Sequence, residues 1–440
     1  MQNFKFKSFL EKIFLDKHSF GERSIIKYEE VIDYKINSIL NYKSNKKNTF
    51  YMQYPSGTKY FGYGKTILVD INKKSDIKFL KIDTEKILTN KNKSLKFFGG
   101  LSFDLTSQSY YPWNKVPKGR FIIPKILITQ ESNKTIITYF KIINKKTRKN
   151  YILNDFLNEY RFITNSTKNT KINSSAKINF EYEKPNRSIY LQDIQKIIAK
   201  INNRDLSKVV ISRMIKYSLE KDLDKEDLIK YLNKNHKNCF NFFINFNRSK
   251  SFMGSTPEKL IKLNESNQFS IDAIAGSSKN KHDLKTIKEI DEHSYVVEYI
   301  RNIVSPACKK LSIPKNPKIL NLNYIYHFIT SISGELKNKI HIIDLIEKLY
   351  PTPALLGYKS KKALEIINNT EKTDRGWYGG CIGFFDTDGN GDFFVPIRSF
   401  YLNKKSMFVF TGSGIVSKSD AQKEWEETKI KSKHILDYFK

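Results

Sequence analysis

From about residue 190 onward the apolar positions change period again and again. SIYLQDIQKIIAKINN (188–203) has the three-and-four spacing of an amphipathic helix. SKVVISRMIKYSL (207–219) is rich in β-branched residues and predicts a strand. A helix is expected around 225–235, followed by strands in CFNFFINF (239–246), SFMGS (251–255) and FSIDAIAG (269–276). A long helix is expected over 284–311. HIIDLIEKLY (341–350) predicts another helix, stopped by Pro351. YGGCIGFFD (378–386), DFFVPIRSFYL (392–402) and SMFVFTGSGIV (406–416) each predict a strand, and a terminal helix closes the chain. The first 160 residues are patterned less sharply as mixed α/β, with strands in KTILVDI (65–71) and RFIIPKILITQ (120–130). Asn165 to Ser188, rich in Asn, Ser, Thr and Lys, predicts a surface connection. Alternating strand and helix blocks with late hairpin turns imply a layered body of the α/β (α+β) class. No internal repeat is present.

Length and charge narrow the reading. The chain has 440 residues, 39% of them hydrophobic, enough for a sizeable core. Its formal charge of +32 would suit a nucleic acid or a membrane surface. The lysines are spread along the chain, however, without a basic block, zinc-finger spacing or aromatic RNA-binding signature, so no nucleic-acid partner is expected. Cys239, Cys308 and Cys381 lack metal or disulfide spacing and fit a reducing compartment. The N-terminal stretch mixes charge into its apolar residues, and no 18-residue apolar run occurs. A cytoplasmic protein with no membrane partner is the expectation.

The candidate chemistry starts with two Glu-x-x-Glu pairs: Glu289 with Glu292, and Glu424 with Glu427. Residues at i and i+3 share a helical face. On spacing alone, both pairs read as solvated acidic faces. Gathered together, four carboxylates would need cations or a metal such as Mg²⁺, which takes one or two protein carboxylates plus substrate oxygens. Three other motifs carry no function. FGYGKTI (61–67) lacks the first glycine of a phosphate loop, since Lys59 stands there. DTDGNGD (386–392) begins like a calcium loop, but its twelfth position is Ile397, and a hairpin turn is expected instead. Glu292 and His293 are adjacent, not spaced as a di-iron motif requires.

In order, LSKVVISR (206–213), FMGSTPEKL (252–260), DAIAGSS (272–278), KEIDEH (288–293), HFITSISGEL (327–336) and LYPTPALLG (349–357) resemble the chorismate-utilising enzymes, and within them the isochorismate synthases. DRGWYGGCIGFFDTDGNG (374–391), VPIRSF (395–400), TGSGIV (411–416) and EWEETKIK (424–431) extend the resemblance, which covers roughly 186–438. The first half matches loosely, through FFGGLSFD (97–104) and WNKVPKGRFIIP (113–124). The resemblance implies one large body with two packed antiparallel sheets, helices outside and a deep cleft. Residues 1–185 would be a divergent N-terminal part of the same fold, and 186–440 the chorismate-binding core.

The resemblance further implies chorismate as substrate and Mg²⁺ as cofactor. Water would add at C2 while the C4 hydroxyl leaves, which needs a base and an acid. Lys208 aligns with the general base, and burial would make a neutral amine available there. Glu258 aligns with the general acid, which needs a raised pKa. After Pro257, Glu258 also reads as a first-turn helix residue. Glu292 and Glu427 align with the metal ligands, and Glu289 and Glu424 would support them directly or through water. Arg398 and Lys431 align with groups that grip substrate carboxylates, helped by Tyr378 and the backbone at Gly412 and Gly414. His327 would face the substrate, although a lone histidine also fits a satisfied core position. Gly276 and Ser277 would stand near the C4 hydroxyl, and Ala354 and Leu355 would shape the ring pocket. Thr411, Ser413, Cys381 and Pro396 depart from the family's usual residues without touching the acid, base or ligands.

Among sister reactions, Ala275 stands where the aminodeoxychorismate type has a nucleophilic lysine, and Lys208 is a residue the ammonia-dependent, anthranilate-type enzymes generally lack. Water is therefore favoured as nucleophile. Salicylate synthase, which adds pyruvate elimination, is the alternative. Menaquinone supply is favoured over siderophore synthesis, and a monomer is expected.

Overall fold

The computed structural model describes residues 2–33, 36, 48–81, 86–89, 91–165, 176–203, 206–322 and 325–440. Two large sheets form the body. The first runs, in spatial order, Ile178–Lys184, Lys208–Leu219, Ser406–Ile415, Ser399–Asn403, Lys250–Thr256, Phe240–Asn245, Phe50–Gln53, Lys59–Tyr63, Ile126–Glu131, Lys134–Ile143, Ser24–Ile32 and Lys86–Thr89. The second runs Cys308–Ser312, Tyr326–Leu336, Gln268–Ser278, Lys259–Leu263, Gly391–Phe394, Cys381–Asp386, Lys96–Leu101, Gly119–Ile123 and Ile67–Ile71. Strands from both sides of residue 185 therefore take part in each sheet, in contiguous blocks. Neighbouring strands pair antiparallel, apart from Ser24–Ile32 with Lys86–Thr89.

The period-two pattern sorts side chains between two cores. Phe408 and Phe410 face the core between the sheets, while Met407 and Val409 face a second core under the helices. Phe240, Phe242 and Ile244 likewise point inward between the sheets, and Phe243 points outward. Helices Gln2–Leu15, Lys149–Asn165 and Lys225–Asn235 contribute Phe6, Phe156 and Leu228 to the outer core.

The structure departs from the sequence expectations at prolines. RFIIPKILITQ is two strands, Gly119–Ile123 in the second sheet and Ile126–Glu131 in the first, broken at Pro124. DFFVPIRSFYL is likewise two, Gly391–Phe394 and Ser399–Asn403, which lie in different sheets on either side of Pro396. Proline has no N–H for a ladder, so each strand ends there and the chain crosses to the other layer. The helix expected over 284–311 spans Ile287–Val304. Pro306 stops it, and Cys308–Ser312 becomes an edge strand. Within the expected connection 165–188, residues 166–175 lie outside the described residues, but Ile178–Lys184 is a strand paired with Lys208–Leu219. The calcium-like stretch is a hairpin turn, with Asp386 Oδ1 accepting from the amides of Asp388 and Asn390.

Candidate active site

Two chain crossings build the floor of a chamber. The first is Thr256-Pro257-Glu258, between a strand of the first sheet and one of the second. The second is Val395 to Arg398, running the other way. The two are bonded to each other: Val395 N–H donates to Glu258 O at 2.9 Å, Thr256 Oγ1 to Val395 O at 2.7 Å, and Ser255 N–H to Arg398 O at 3.1 Å. Glu258 therefore sits on a strand-to-strand crossing and not in a first helical turn, because the backbone it joins is already committed to ladders on both sides. Arg398 holds a left-handed backbone, φ +51°. That conformation is uncommon for a residue with a Cβ and is held here by the crossing.

Glu258, Glu292, His327, Leu355, Arg398 and Lys431 are among the residues lining this chamber of about 60 Å³. Ser277, Ala354, Tyr378, Gly412 and Gly414 line it too. Lys208 opens strand Lys208–Leu219, is fully buried, and places Nζ 3.0 Å from Glu292 Oε1. Gly414, on the neighbouring strand, lies against the same oxygen: a Cβ there would stand 2.1 Å from Glu292 Oε1. A side chain at 414 would therefore push Glu292 off its seat. Gly276 (φ +73°) is similarly confined, since a Cβ would lie 2.8 Å from Glu289 O.

Burial pushes the Glu258 carboxyl up to about 8, with Lys208, Lys431 and Arg398 only partly opposing it. Glu292 is buried as well, but Lys208, Lys288 and Lys431 together hold it below the ordinary carboxylate range. Burial lowers the Arg398 guanidinium to about 10, still charged at neutral pH. Burial, with Arg398 and Lys431 nearby, keeps His327 well below its usual value and so neutral. His327 Nε2 lies 3.2 Å from Arg398 Nη2, and its Nδ1 lies 2.9 Å from Ser277 Oγ. A guanidinium only donates, so Nε2 accepts and the proton sits on Nδ1, donating to Ser277. The Ser277 hydroxyl hydrogen is thereby left for another acceptor. His327 is thus part of a polar chain and not a core histidine.

The two Glu-x-x-Glu pairs meet at the chamber's mouth. Asp420 caps helix Ala421–Leu436 through the Lys423 amide, which puts Glu424 in its first turn. Glu289 lies in the first turn of helix Ile287–Val304. Both carboxylates gain from the positive helix end. Glu289 Oε2 also accepts the Ser277 amide at 2.6 Å. Lysines interleave with the acids: Lys288 Nζ lies 3.0 Å from Glu289 Oε1 and 2.9 Å from Glu424 Oε1, and Lys431 Nζ lies 2.5 Å from Glu427 Oε1. Lys431 also donates to Gly412 O at 3.1 Å. Among the described residues, no three His, Cys, Asp or Glu side chains close on one point as a preformed metal site would. The donor set nevertheless fits Mg²⁺, whose remaining ligands come from water and substrate. Glu424 Oε2 is buried without a hydrogen-bond partner. Burial first, then the neighbouring glutamates, pushes Glu289 and Glu424 up to about 7. The cage is therefore short of positive charge.

A family model described as "chorismate binding enzyme" matches residues 9–440. The chain belongs to the chorismate-binding enzymes. The isochorismate synthase MenF of Bacillus subtilis is 30% identical over 353 residues, covering 77% of this chain and 73% of the relative. The vibriobactin-specific isochorismate synthase of Vibrio cholerae is 30% identical over 264 residues, covering 57% and 67%. The solved structure of the menaquinone-specific isochorismate synthase MenF of Escherichia coli shares the fold, with a TM-score of 0.77 at 20% identity over 99% of this chain and 100% of that one. The two-sheet architecture expected from the resemblance is therefore the family's fold. Sequence reasoning did not single out Lys288, because one lysine among so many carries no signal until the fold sets it between two helices. Val210, Ile274, Ile397 and Phe410, which wall the chamber, were also missed because they read as ordinary core. Among the described residues, no helix is long and apolar enough to cross a membrane.

Proposed function

We propose that this protein interconverts chorismate and isochorismate. The observation that carries the reading is a fully buried Lys208 in contact with Glu292, which lines the same chamber as a Glu258 whose carboxyl stays protonated at neutral pH. As base, Lys208 acts in its neutral form, after releasing the proton it carries in the pair with Glu292, and its Nζ then takes a proton from water as the oxygen bonds to C2. The ring double bonds shift, the C4–O bond breaks, and Glu258 gives its proton to the departing hydroxyl, which leaves as water. One water enters and one leaves, so the change is an isomerisation. Arg398 and Lys431 grip the substrate carboxylates, with Tyr378 and the backbone at Gly412 and Gly414 beside them. The free hydrogen of Ser277, set by His327, suits the C4 oxygen. Gly276 lets that segment pass close to Glu289, while Ala354 and Leu355 bound the ring.

Glu292 and Glu427 would hold Mg²⁺, with Glu289 and Glu424 ligating directly or through water. When bound, the ion supplies positive charge to the substrate's ring carboxylate as electron density builds there. Likeness to the two MenF proteins over most of the chain supports menaquinone supply as the role.

The test is to incubate the protein with chorismate and Mg²⁺, with and without chelator, and separate the products by chromatography. A chelator-sensitive mixture of chorismate and isochorismate is expected. Salicylate with pyruvate would move the assignment to salicylate synthase, and turnover only with ammonia would move it to the anthranilate type.

A further inference from the structure

Lys288 is used by neither the acid–base pair nor the carboxylate set. Its Nζ bridges Glu289 and Glu424 at 3.0 and 2.9 Å, joining the first turns of two helices that would otherwise face each other with bare carboxylates. The other two acids have lysines of their own, Glu292 with Lys208 and Glu427 with Lys431. Of these three lysines, Lys288 is the one that lines the outer cavity of about 800 Å³, along with Asp283, Asp420 and Glu426. Its side chain keeps 18% exposure, whereas Glu424 keeps 1%.

We propose that Lys288 is an internal counter-cation, holding the position between Glu289 and Glu424 until a divalent cation displaces it. This rests on the metal reading above. An ammonium and a divalent ion cannot share two carboxylates, because like charges at contact repel strongly where water is scarce. Mg²⁺ also demands close, near-octahedral oxygens, which leaves no room for Nζ. Lysine suits a replaceable cation, since it is a point charge on a flexible four-carbon stem. The stem opens onto a cavity whose Asp283, Asp420 and Glu426 can receive the released charge. Two consequences follow. The cage stays folded before metal arrives, and metal affinity reports an exchange, so it is weaker than the carboxylates alone would give.

The experiment measures Mn²⁺ binding to the chorismate-free protein by electron paramagnetic resonance, with thermal unfolding with and without Mg²⁺ as a second readout. Lys288→Met keeps the stem and removes the charge. It should bind Mn²⁺ about tenfold more tightly than the unaltered protein, melt earlier without metal, and regain its midpoint with Mg²⁺. Lys288→Arg, whose fork bridges two carboxylates more firmly, should weaken Mn²⁺ binding. Equal or weaker binding by Lys288→Met overturns the proposal, as does unchanged binding by Lys288→Arg, which alone decides if the Met variant does not fold. Glu292→Gln, run in parallel, separates the two readings. If Mn²⁺ binding survives that change intact, the cation sits elsewhere and the metal reading fails as well. If binding falls there but Lys288→Met behaves as the unaltered protein, the Lys288 proposal fails alone.

Discussion

The chamber floor and the acidic mouth use the same residue type in opposite ways. Glu258 has no salt bridge with a cation among the described residues, and burial raises it to about 8. Glu292 is just as enclosed, yet it stays ionised because Lys208 touches it and Lys288 and Lys431 lie near. The two carboxyls line one chamber. Burial alone therefore does not set the charge of an acid; the balance of neighbouring charges does, since Glu289 and Glu424 share the single Lys288, face further glutamates and stay raised at about 7 despite that contact. Glu258 on the floor keeps its proton, whereas Glu292 keeps its negative charge.

Removing the proposed base should separate the regions most sharply. Lys208→Ala is expected to lower kcat by about 10⁴-fold, the upper end for acid–base catalysis, while the circular dichroism spectrum is retained. Unchanged turnover would remove Lys208 as the base. Glu258→Gln keeps the shape without the proton and should cost about 10³-fold. In the unaltered protein, kcat should decline as pH rises through about 8, where Glu258 ionises, and Glu258→Gln should lack that limb. A limb that persists in the variant would place the titration on another group. The sign for stability runs the same way. The folded carboxyl holds its proton above its ordinary value of 4.5, so the thermal midpoint should fall from pH 5 to pH 8, less so in Glu258→Gln.

At the mouth, Glu292→Ala or Glu427→Ala should lower kcat by about 10²- to 10³-fold and abolish its dependence on Mg²⁺. Ordinary Mg²⁺ titration curves in both variants would sink the metal assignment. Gly414→Ala tests the seat of Glu292 without touching a charge. Its Cβ would collide with Glu292 Oε1, and a loss of about 10²-fold is expected from displaced geometry. A normal rate would show that Glu292 need not lie where it does. The smallest effect is expected from Ser277→Ala, about tenfold, for one lost neutral hydrogen bond at the reacting centre.

Much of the fold was legible because its signals are local. The periods in SIYLQDIQKIIAKINN and SMFVFTGSGIV were enough to give Arg187–Asn202 and Ser406–Ile415. Periodicity does not say which sheet a strand joins, so RFIIPKILITQ and DFFVPIRSFYL each read as one strand where the chain changes layers at a proline. The proposed acid and base and the paired glutamates were nameable from ordered motifs.

By itself the sequence determined the elements, the family resemblance and the residue types that could do the chemistry. The spacing of Glu289 from Glu292, and of Glu424 from Glu427, already put each pair on one helical face. Only the tertiary structure decided what those groups face. It brought two helix starts together, set Lys288 between them, laid Glu292 on Gly414, and joined two crossings so that Glu258 and Arg398 share a chamber. The physical reason is that charge state and reach depend on neighbours distant in the chain. A carboxylate's pKa and a lysine's partner are therefore properties of the packed molecule and not of any window of its sequence.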